Sequence, residues 1–276
     1  MIPVAFDYVR AASADEALAA LGEHGDEAKL MAGGHSLLPM MKLRLAYPAV
    51  VVDIGRLDDL SYINDAGDHL AIGALTRHRD IEISDLVNEH APLLSHATGH
   101  VGDPQVRHRG TIGGSLAHAD GAADHPSALL ALGGSVVARD ANGGERVIEG
   151  SDLFAGFLES SLEPTEMITE VRIPKHTGQG WNFQKFNRRA QDWAIVGVSA
   201  QRVDGGARVS LVNMHPTPIR ATAVEEALAG GASAGDAAEQ AAVGMEPSSD
   251  LNASVDYRNH LARVLTRRAL QEAGIA

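Results

Sequence analysis

The sequence predicts an α+β protein built from two or three compact units. Its 276 residues are enough to bury a sizeable core and exceed the usual size of one domain. Before Pro174, short apolar strand-like runs alternate with helical patterns. After Pro174, three strand-like runs come first and three helical stretches follow, an order typical of an α+β unit.

Two helices are predicted near the start of the chain. The first begins after Ser13 and runs to Gly22, because Ser13 and Glu16 have the spacing of a capping box. The second follows Ser36, which is placed as its N-cap, and its apolar positions recur with helical spacing as far as Leu45.

The remaining elements follow from apolar alternation, from proline and glycine stops and from hydroxyl residues placed as helix caps. Thr76 and Ser84 are predicted to cap short helices, and a second lobe is predicted to begin near Gly55. Predicted strands lie at 29–32, 50–54, 62–63, 70–72, 135–139, 146–149, 167–173, 181–187, 194–203 and 207–214. Further predicted helices lie at 92–98, 126–132, 221–229, 234–242 and 256–272.

Two glycine pairs stand where one element is predicted to give way to another. The first glycine loop is residues 32–36, Ala-Gly-Gly-His-Ser, and the second glycine motif is residues 111–115, Thr-Ile-Gly-Gly-Ser. Main-chain N–H groups approach a diphosphate only where no Cβ blocks them, so these segments predict a diphosphate held between two lobes. The alternative is that both are ordinary turns, as predicted for the glycine pairs 143–144 and 205–206 between strands.

Charge and composition exclude several classes of function. A net charge of −13 disfavours nucleic acid and anionic membrane surfaces as partners, because both would repel the chain. No apolar run reaches the roughly 20 residues that span a bilayer and no signal peptide is evident, so a cytoplasmic location is expected. Without cysteine, the chain has no disulfide, no thiolate nucleophile and no ligands for a cysteine-bound iron–sulfur cluster.

The densest polar stretch, residues 118–126, contains two histidines and two aspartates. Their spacing is not that of a metal site, so no metal is expected on this chain. Asp124 has two interpretations that the sequence leaves open. It can contact a ribose hydroxyl or an adenine amino group of a bound nucleotide, or it can cap the helix that opens at Pro126.

Lys185 lies between Phe183 and Phe186 in a strand pattern, and Trp193 follows shortly after. A cation near an electron-accepting ring stabilises the reduced anion, and an aromatic side chain can cover the face of the ring. The alternative is a surface lysine beside core aromatics. No order of Ser, His and Asp and no pair of carboxylates indicates hydrolytic or glycosidic chemistry.

Three segments closely resemble the FAD-binding medium subunits of molybdenum hydroxylases. They are Ala-Gly-Gly-His-Ser-Leu-Leu-Pro at 32–39, Thr-Ile-Gly-Gly-Ser-Leu-Ala-His-Ala-Asp at 111–120 and Lys-Phe-Asn-Arg-Arg-Ala-Gln-Asp-Trp-Ala at 185–194. The resemblance covers essentially the whole chain. It is greater to the medium chains of aerobic carbon monoxide dehydrogenases than to the flavin domain of xanthine dehydrogenase.

The resemblance implies an FAD-binding domain of the vanillyl-alcohol-oxidase (PCMH) type at 1–176, with lobes at about 1–54 and 55–176, and a smaller domain of antiparallel sheet and helices at 177–276. It implies that both glycine segments contact the pyrophosphate, Asp124 the adenosine side, and Lys185 with Trp193 the isoalloxazine surroundings. No catalytic residue is expected on this chain. The implied FAD contacts are Ala32, Gly33, Gly34, His35, Ser36, Leu37, Thr111, Ile112, Gly113, Gly114, Ser115, Asp124, Ile168, Lys185 and Trp193.

The resemblance also implies a role in electron transfer. In such assemblies a small subunit carries two [2Fe–2S] clusters and a large subunit carries a molybdenum–molybdopterin cofactor, while the flavin chain passes electrons to a quinone or another acceptor. The implied assembly is a dimer of heterotrimers, in the cytoplasm or at the inner face of the membrane. Three alternatives stay open: a related hydroxylase of N-heterocycles, purines or aldehydes, a stand-alone flavin oxidase, and a non-catalytic scaffold.

Overall fold

The computed structural model describes residues 2–275, and its first lobe is built on a parallel sheet. The lobe contains β1 (Asp7–Arg10), α1 (Ala14–His24), β2 (Ala28–Met31), α2 (Leu37–Lys42) and β3 (Val50–Asp53). The strand order is β1-β3-β2, with Asp7 and Ala28 both paired with Val50. Parallel neighbours need crossover connections, which α1 and α2 provide. Leu18 and Leu21 of α1 are buried in the same apolar cluster as Val50 and Val52.

The second lobe is built on an antiparallel sheet of the order β4-β5-β10-β6-β7. Its elements are β4 (Ile63–Asp65), β5 (His69–Gly73), α3 (His78–Ile83), α4 (Asp85–His90), α5 (Pro92–Gly99), α6 (Pro104–Arg107), α7 (Ile112–His118), α8 (Asp124–Leu132), β6 (Ser135–Arg139), β7 (Glu145–Glu149), β8 (Phe154–Gly156), β9 (Glu159–Ser160) and β10 (Met167–Pro174). The last strand of the lobe, β10, therefore lies at the centre of its sheet.

The C-terminal domain has an antiparallel sheet of the order β11-β12-β13-β14. Its elements are β11 (Trp181–Phe186), β12 (Val196–Val203), β13 (Gly206–Val212), β14 (Ile219–Arg220), α9 (Thr222–Ala229), α10 (Ala234–Ala238) and α11 (Val255–Glu272). Val198 and Ala200 share an apolar cluster with α11, whereas the Ser199 hydroxyl lies 2.8 Å from that of Ser127 on α8. Because side chains alternate along a strand, α11 and α8 cover opposite faces of this sheet.

The predicted α+β class is confirmed, and most helix starts lie where the sequence indicates. The Ser13 hydroxyl accepts a hydrogen bond from Glu16 N, and the Glu16 carboxylate reaches back to Ala12 N. Ser84 caps α4 in the same way, accepting from Val87 N. Such caps satisfy N–H groups that have no partner inside the helix.

Several local predictions are wrong. Helix α1 continues past Gly22 and ends at His24 with Gly25 as its C-cap, and α2 ends before Leu45. Ser36 makes no capping bond, because its own φ and ψ of −100° and −53° are helical rather than extended. Thr76 does not cap a helix either: its hydroxyl bonds the main chain of Tyr62 across the sheet.

Six short elements were not predicted, namely β1, α6, α7, β8, β9 and β14. The second glycine motif differs from its prediction as well. It forms the start of α7, with Thr111 as N-cap, and it is preceded by α6 rather than by a strand. No helix within residues 2–275 combines the length and the apolar character that crossing a bilayer requires.

Candidate functional site

The two lobes and the C-terminal domain enclose one large cleft of about 1290 Å³. Drug-sized ligands occupy pockets of roughly 300–1,000 Å³, so this cleft suits a larger ligand. All the predicted site residues line it except Ile112, which is buried behind the second glycine motif. The structure therefore brings the distant predicted segments together around one cleft, and Ile112 is the predicted residue that does not line it.

The first glycine loop connects β2 to α2 and presents a row of unpaired main-chain donors. Within residues 2–275, the N–H groups of Gly33, Gly34, His35, Ser36 and Leu37 have no hydrogen-bond acceptor. Consecutive N–H groups that lack partners and face a cleft form a concavity suited to an anion. The diphosphate prediction fits this loop.

Both glycines of this loop are required by their surroundings. A Cβ on Gly33 would overlap the main-chain carbonyl of Arg109, so the loop and the second lobe approach each other more closely than a side chain allows. Gly34 has a φ of +75°, a left-handed conformation that glycine adopts without strain. The loop is thus held in place by packing and shaped by its second glycine.

The second glycine motif lacks such free donors. Ile112 N donates to Thr76 O at 3.2 Å and Gly113 N donates to Ala74 O at 2.9 Å. Gly114 N donates to the Thr111 hydroxyl at 3.3 Å, and Ser115 N donates to the Thr111 carbonyl at 3.0 Å. The expectation that both glycine segments offer unpaired main-chain donors is therefore wrong for this one. Four of its residues line the cleft: the buried Thr111 and Gly113, the exposed Gly114 and the half-buried Ser115.

Asp124 and Lys185 form a buried ion pair in the wall of the cleft. The Lys185 ammonium lies 2.7 Å from Asp124 Oδ2 and 2.9 Å from His100 O, and the side chains are 4% and 6% exposed for Lys185 and Asp124 respectively. Burial raises the pKa of Asp124, while the Lys185 ammonium opposes that shift. The second oxygen of Asp124, Oδ1, is buried without a partner among the residues described.

This pair overturns one of the two interpretations that the sequence left open for each residue. Lys185 is not a surface lysine, and Asp124 lies inside α8, where it makes no capping bond. The structure thus brings the residue expected at the adenosine side, Asp124, into direct contact with the residue expected at the isoalloxazine, Lys185. Trp193 lies at the same cleft and is 70% exposed, so its ring is available to a ligand.

A stacked pair of buried histidines, His78 and His125, also lines the cleft and was not predicted. Their rings lie 4.2 Å apart. The Thr98 hydroxyl donates to Leu94 O at 2.7 Å and therefore accepts from His125 Nε2 at 3.1 Å. Burial lowers the pKa of His125 to about 4 and that of His78 well below its usual range, so both rings are neutral near pH 7.

No signal in the sequence separates these two histidines from the other eleven, because their stacking joins residues 47 positions apart on α3 and α8. Across residues 2–275, no cluster of three or more His, Asp or Glu side chains is arranged to hold a metal ion.

Comparison with known proteins decides the family. Residues 4–176 match the family described as the FAD binding domain in molybdopterin dehydrogenase. Residues 181–273 match the CO dehydrogenase flavoprotein C-terminal domain. The chain belongs to this FAD-binding family. The family and the FAD cofactor implied by the resemblance of the three segments are thereby confirmed, and the chain is an FAD-binding subunit of an oxidoreductase.

Two curated relatives that are almost equally identical to this chain are subunits of different enzymes. The carbon monoxide dehydrogenase medium chain of Hydrogenophaga pseudoflava is 40% identical over 283 residues, covering 99% of this chain and 98% of the relative. The 6-hydroxypseudooxynicotine dehydrogenase complex subunit alpha of Paenarthrobacter nicotinovorans is 39% identical over 284 residues, covering 99% and 96%. Each name denotes one chain of a larger enzyme.

A solved structure has the same fold throughout. It is carbon monoxide dehydrogenase from Hydrogenophaga pseudoflava that lacks the Mo-pyranopterin moiety of its cofactor. One of its chains superposes with a TM-score of 0.95 at 40% identity, covering 99% of both chains.

The residues present here fit FAD. The first glycine loop supplies unpaired N–H donors for a diphosphate, and the cleft exceeds the volume that a mononucleotide-sized ligand needs. The histidine pair and the partnerless Asp124 oxygen add polar atoms to its wall.

Proposed function

We propose that this chain is the FAD-carrying electron-transfer subunit of a three-chain molybdenum hydroxylase of the carbon monoxide dehydrogenase type. A small subunit with two [2Fe–2S] clusters delivers electrons, a large molybdenum–molybdopterin subunit oxidises the substrate, and a quinone or another acceptor receives the electrons. The observation that carries the proposal is the row of unpaired N–H groups from Gly33 to Leu37, facing a cleft of dinucleotide size.

The composition of the chain supports this division of labour. It has no cysteine, so the thiolate ligands of iron–sulfur clusters belong to another chain. The assembly we propose is a dimer of heterotrimers in the cytoplasm or at the inner face of the membrane.

Within this proposal the chain's own residues bind and orient the cofactor. The N–H groups of the first glycine loop and of Leu37 hold the diphosphate, and Ser115 and Gly114 close the site from the second lobe. Lys185 and Asp124 place a fixed, compensated pair of charges in the wall. Bound FAD supplies the exchange of electrons that no protein side chain here provides.

The first test is cofactor binding by matched glycine variants. Gly34 and Gly178 both have left-handed φ values, +75° and +72°, but only Gly34 lines the cleft. We expect Gly34→Ala to weaken FAD binding at least about 10-fold, and Gly178→Ala to bind like the wild type. Calorimetric titration of the full-length chain with FAD measures this, and equal binding by both variants would contradict the proposal.

The second test distinguishes an electron-transfer subunit from a stand-alone flavin oxidase. We expect the FAD-loaded chain alone to oxidise neither carbon monoxide nor an organic substrate, and the flavin to be released when the protein is denatured. In the purified three-chain complex, anaerobic addition of the right substrate should bleach the flavin absorbance. Oxygen consumption by the isolated chain with a substrate would favour the oxidase instead.

The relative from Paenarthrobacter nicotinovorans favours a second candidate substrate class, nitrogen heterocycles and related compounds, since its identity of 39% nearly equals the 40% of the carbon monoxide dehydrogenase chain. The same bleaching experiment distinguishes the two. Carbon monoxide and 6-hydroxypseudooxynicotine are added separately to the complex, and the substrate that reduces the flavin identifies the class.

A further inference from the structure

Arg77 bonds two main-chain carbonyls that flank the first glycine loop. Its Nη1 donates to Arg109 O at 2.5 Å, and its Nη2 donates to Gly55 O at 3.1 Å. The Arg109 carbonyl is the group that a Cβ on Gly33 would overlap. A Cβ on Gly55 would lie 2.9 Å from Ala32 O. The segment from Ala32 to Gly33 therefore runs between the two backbone stretches that Arg77 joins.

The same residue is anchored beside the second glycine motif. Arg77 and Thr111 form an isolated antiparallel β-bridge, and Ile112 N donates to Thr76 O. The following residue, His78, donates its N–H to Gly110 O at 3.0 Å. Arg77 is thus fixed to the second lobe by its backbone, while its guanidinium reaches the junction with the first lobe.

The Arg77 charge has no counter-ion in direct contact. No carboxylate within residues 2–275 lies within 4 Å of its guanidinium, and Asp53, Asp58 and Asp80 act on it only from farther away. The side chain is about half buried, and this burial together with the nearby Arg109 lowers the pKa of Arg77. A guanidinium nonetheless stays charged in proteins, so an anion in the loop would be attracted by it.

We propose that Arg77 is the positioning residue for the diphosphate of FAD: it fixes the first glycine loop against the second lobe and places positive charge beneath it. The inference rests on the proposed function, since it concerns the same cofactor. It predicts that both the shape and the charge of Arg77 matter. Lysine would keep the charge but lose the fork that bonds two carbonyls at once.

The test is titration of the full-length chain with FAD and, separately, with ADP, which contains the same diphosphate. We expect Arg77→Gln to weaken both at least about 10-fold, and Arg77→Lys to weaken them by a smaller factor. The matched control is Arg79→Gln: neither arginine lines the cleft, but Arg79 pairs with Glu82, whereas Arg77 bonds the carbonyls beside the first glycine loop. Its binding should equal that of the wild type.

Salt separates the two roles of Arg77. Repeating the titrations in 1 M NaCl, where screening acts over about 3 Å, should shrink the difference between wild type and Arg77→Gln without abolishing it. Binding of FAD by Arg77→Gln within twofold of the wild type would overturn the inference. If Arg77→Gln fails to fold, wild-type binding by Arg77→Lys overturns it. A wild-type chain that takes up no FAD would instead overturn the proposed function and this inference with it.

Discussion

The first glycine loop and the second glycine motif have nearly the same composition, but their main-chain N–H groups differ in what they contact. In the first, five consecutive donors from Gly33 to Leu37 lack partners among the described residues. In the second, every donor from Ile112 to Ser115 bonds a carbonyl or hydroxyl of the protein itself. A glycine pair therefore indicates close approach, and only the surrounding hydrogen bonds tell whether a ligand or another part of the chain approaches.

The glycines of the second motif illustrate the point. A Cβ on Gly113 would lie 2.6 Å from the Cβ of Ala74, at the end of the second sheet. Gly113 is thus required by packing between α7 and that sheet. Gly114 is exposed and faces the cleft.

The largest expected effect comes from adding a side chain to the first glycine loop. Gly33→Ala drives a Cβ into the Arg109 carbonyl, so we expect FAD binding to fall at least about 100-fold and stability to fall by about 1–3 kcal/mol. Chemical denaturation and FAD titration measure both.

Gly114→Ala is the matched control for that change. The new Cβ would lie 2.8 Å from the Thr111 hydroxyl, which can rotate away, and 3.8 Å from Ala32 Cβ. Alanine also favours the helix by about 1 kcal/mol, so we expect stability within about 1 kcal/mol of the wild type. An equal loss of stability in the two variants would contradict the contrast between the two glycines.

An intermediate loss of stability is expected on acidification, because the histidine pair lies next to the second glycine motif. A Cβ on Gly110, directly before that motif, would lie 2.5 Å from His78 Nε2, so the histidine pair packs closely beneath it. The folded pKa of His125 is about 4, below the unfolded value of 6.5, so the unfolded chain binds more protons between these pH values. Stability from neutral His125 is therefore present above pH 6.5 and lost as the pH falls toward 4.

The lowered pKa of His78 acts in the same direction. We expect the free energy of unfolding to fall by up to about 1.4 kcal/mol per pH unit for each histidine. Urea titrations at several pH values between 7 and 5 measure the slope. His125→Asn should reduce the slope of the unfolding free energy against pH, even if the variant is less stable overall. An unchanged slope would show that His125 is not the titrating group.

The smallest expected effects come from two hydroxyls. Thr111→Val removes the cap on Gly114 N and should cost about 1 kcal/mol of stability, with little change in FAD affinity. Ser36→Ala loses no capping bond, so we expect unchanged stability and an FAD affinity lower by a small factor. Denaturation and titration of the two variants give the contrast. A stability loss in Ser36→Ala as large as in Thr111→Val would contradict it.

Local signals in the sequence located most elements, because caps and turns depend on neighbouring residues. Ser13 and Ser84 are examples. The pair 143–144 lies between the paired strands β6 and β7, and Gly205 lies in the turn before Gly206 opens β13. Helix α6 also carries a local signal, since Asp103 accepts from Val106 N and Pro104 opens the helix. Thr76 shows the opposite case, in which a partner across the sheet determined the role of a hydroxyl.

The site was predictable where it rests on motifs and not where it rests on tertiary contacts. The glycines and serine of the first glycine loop mark it as a candidate, but its unpaired N–H groups are visible only in the structure. Arg77 could not, because its acceptors are main-chain carbonyls 22 and 32 positions away and leave no pattern in the sequence. The pairing of Asp124 with Lys185 joins residues 61 positions apart, so their separate assignments could not reveal it.

The central position of β10 has a consequence for synthesis on the ribosome. Strands β5 and β6 each pair with β10, and β10 ends only at Pro174. Until that residue has emerged, a nascent chain holds two separate hairpins whose inner edges are unpaired and prone to pair with other chains. Completion of the second lobe is thus a late event in translation, and the cleft, which also needs Lys185 and Trp193, can accept its cofactor only after that.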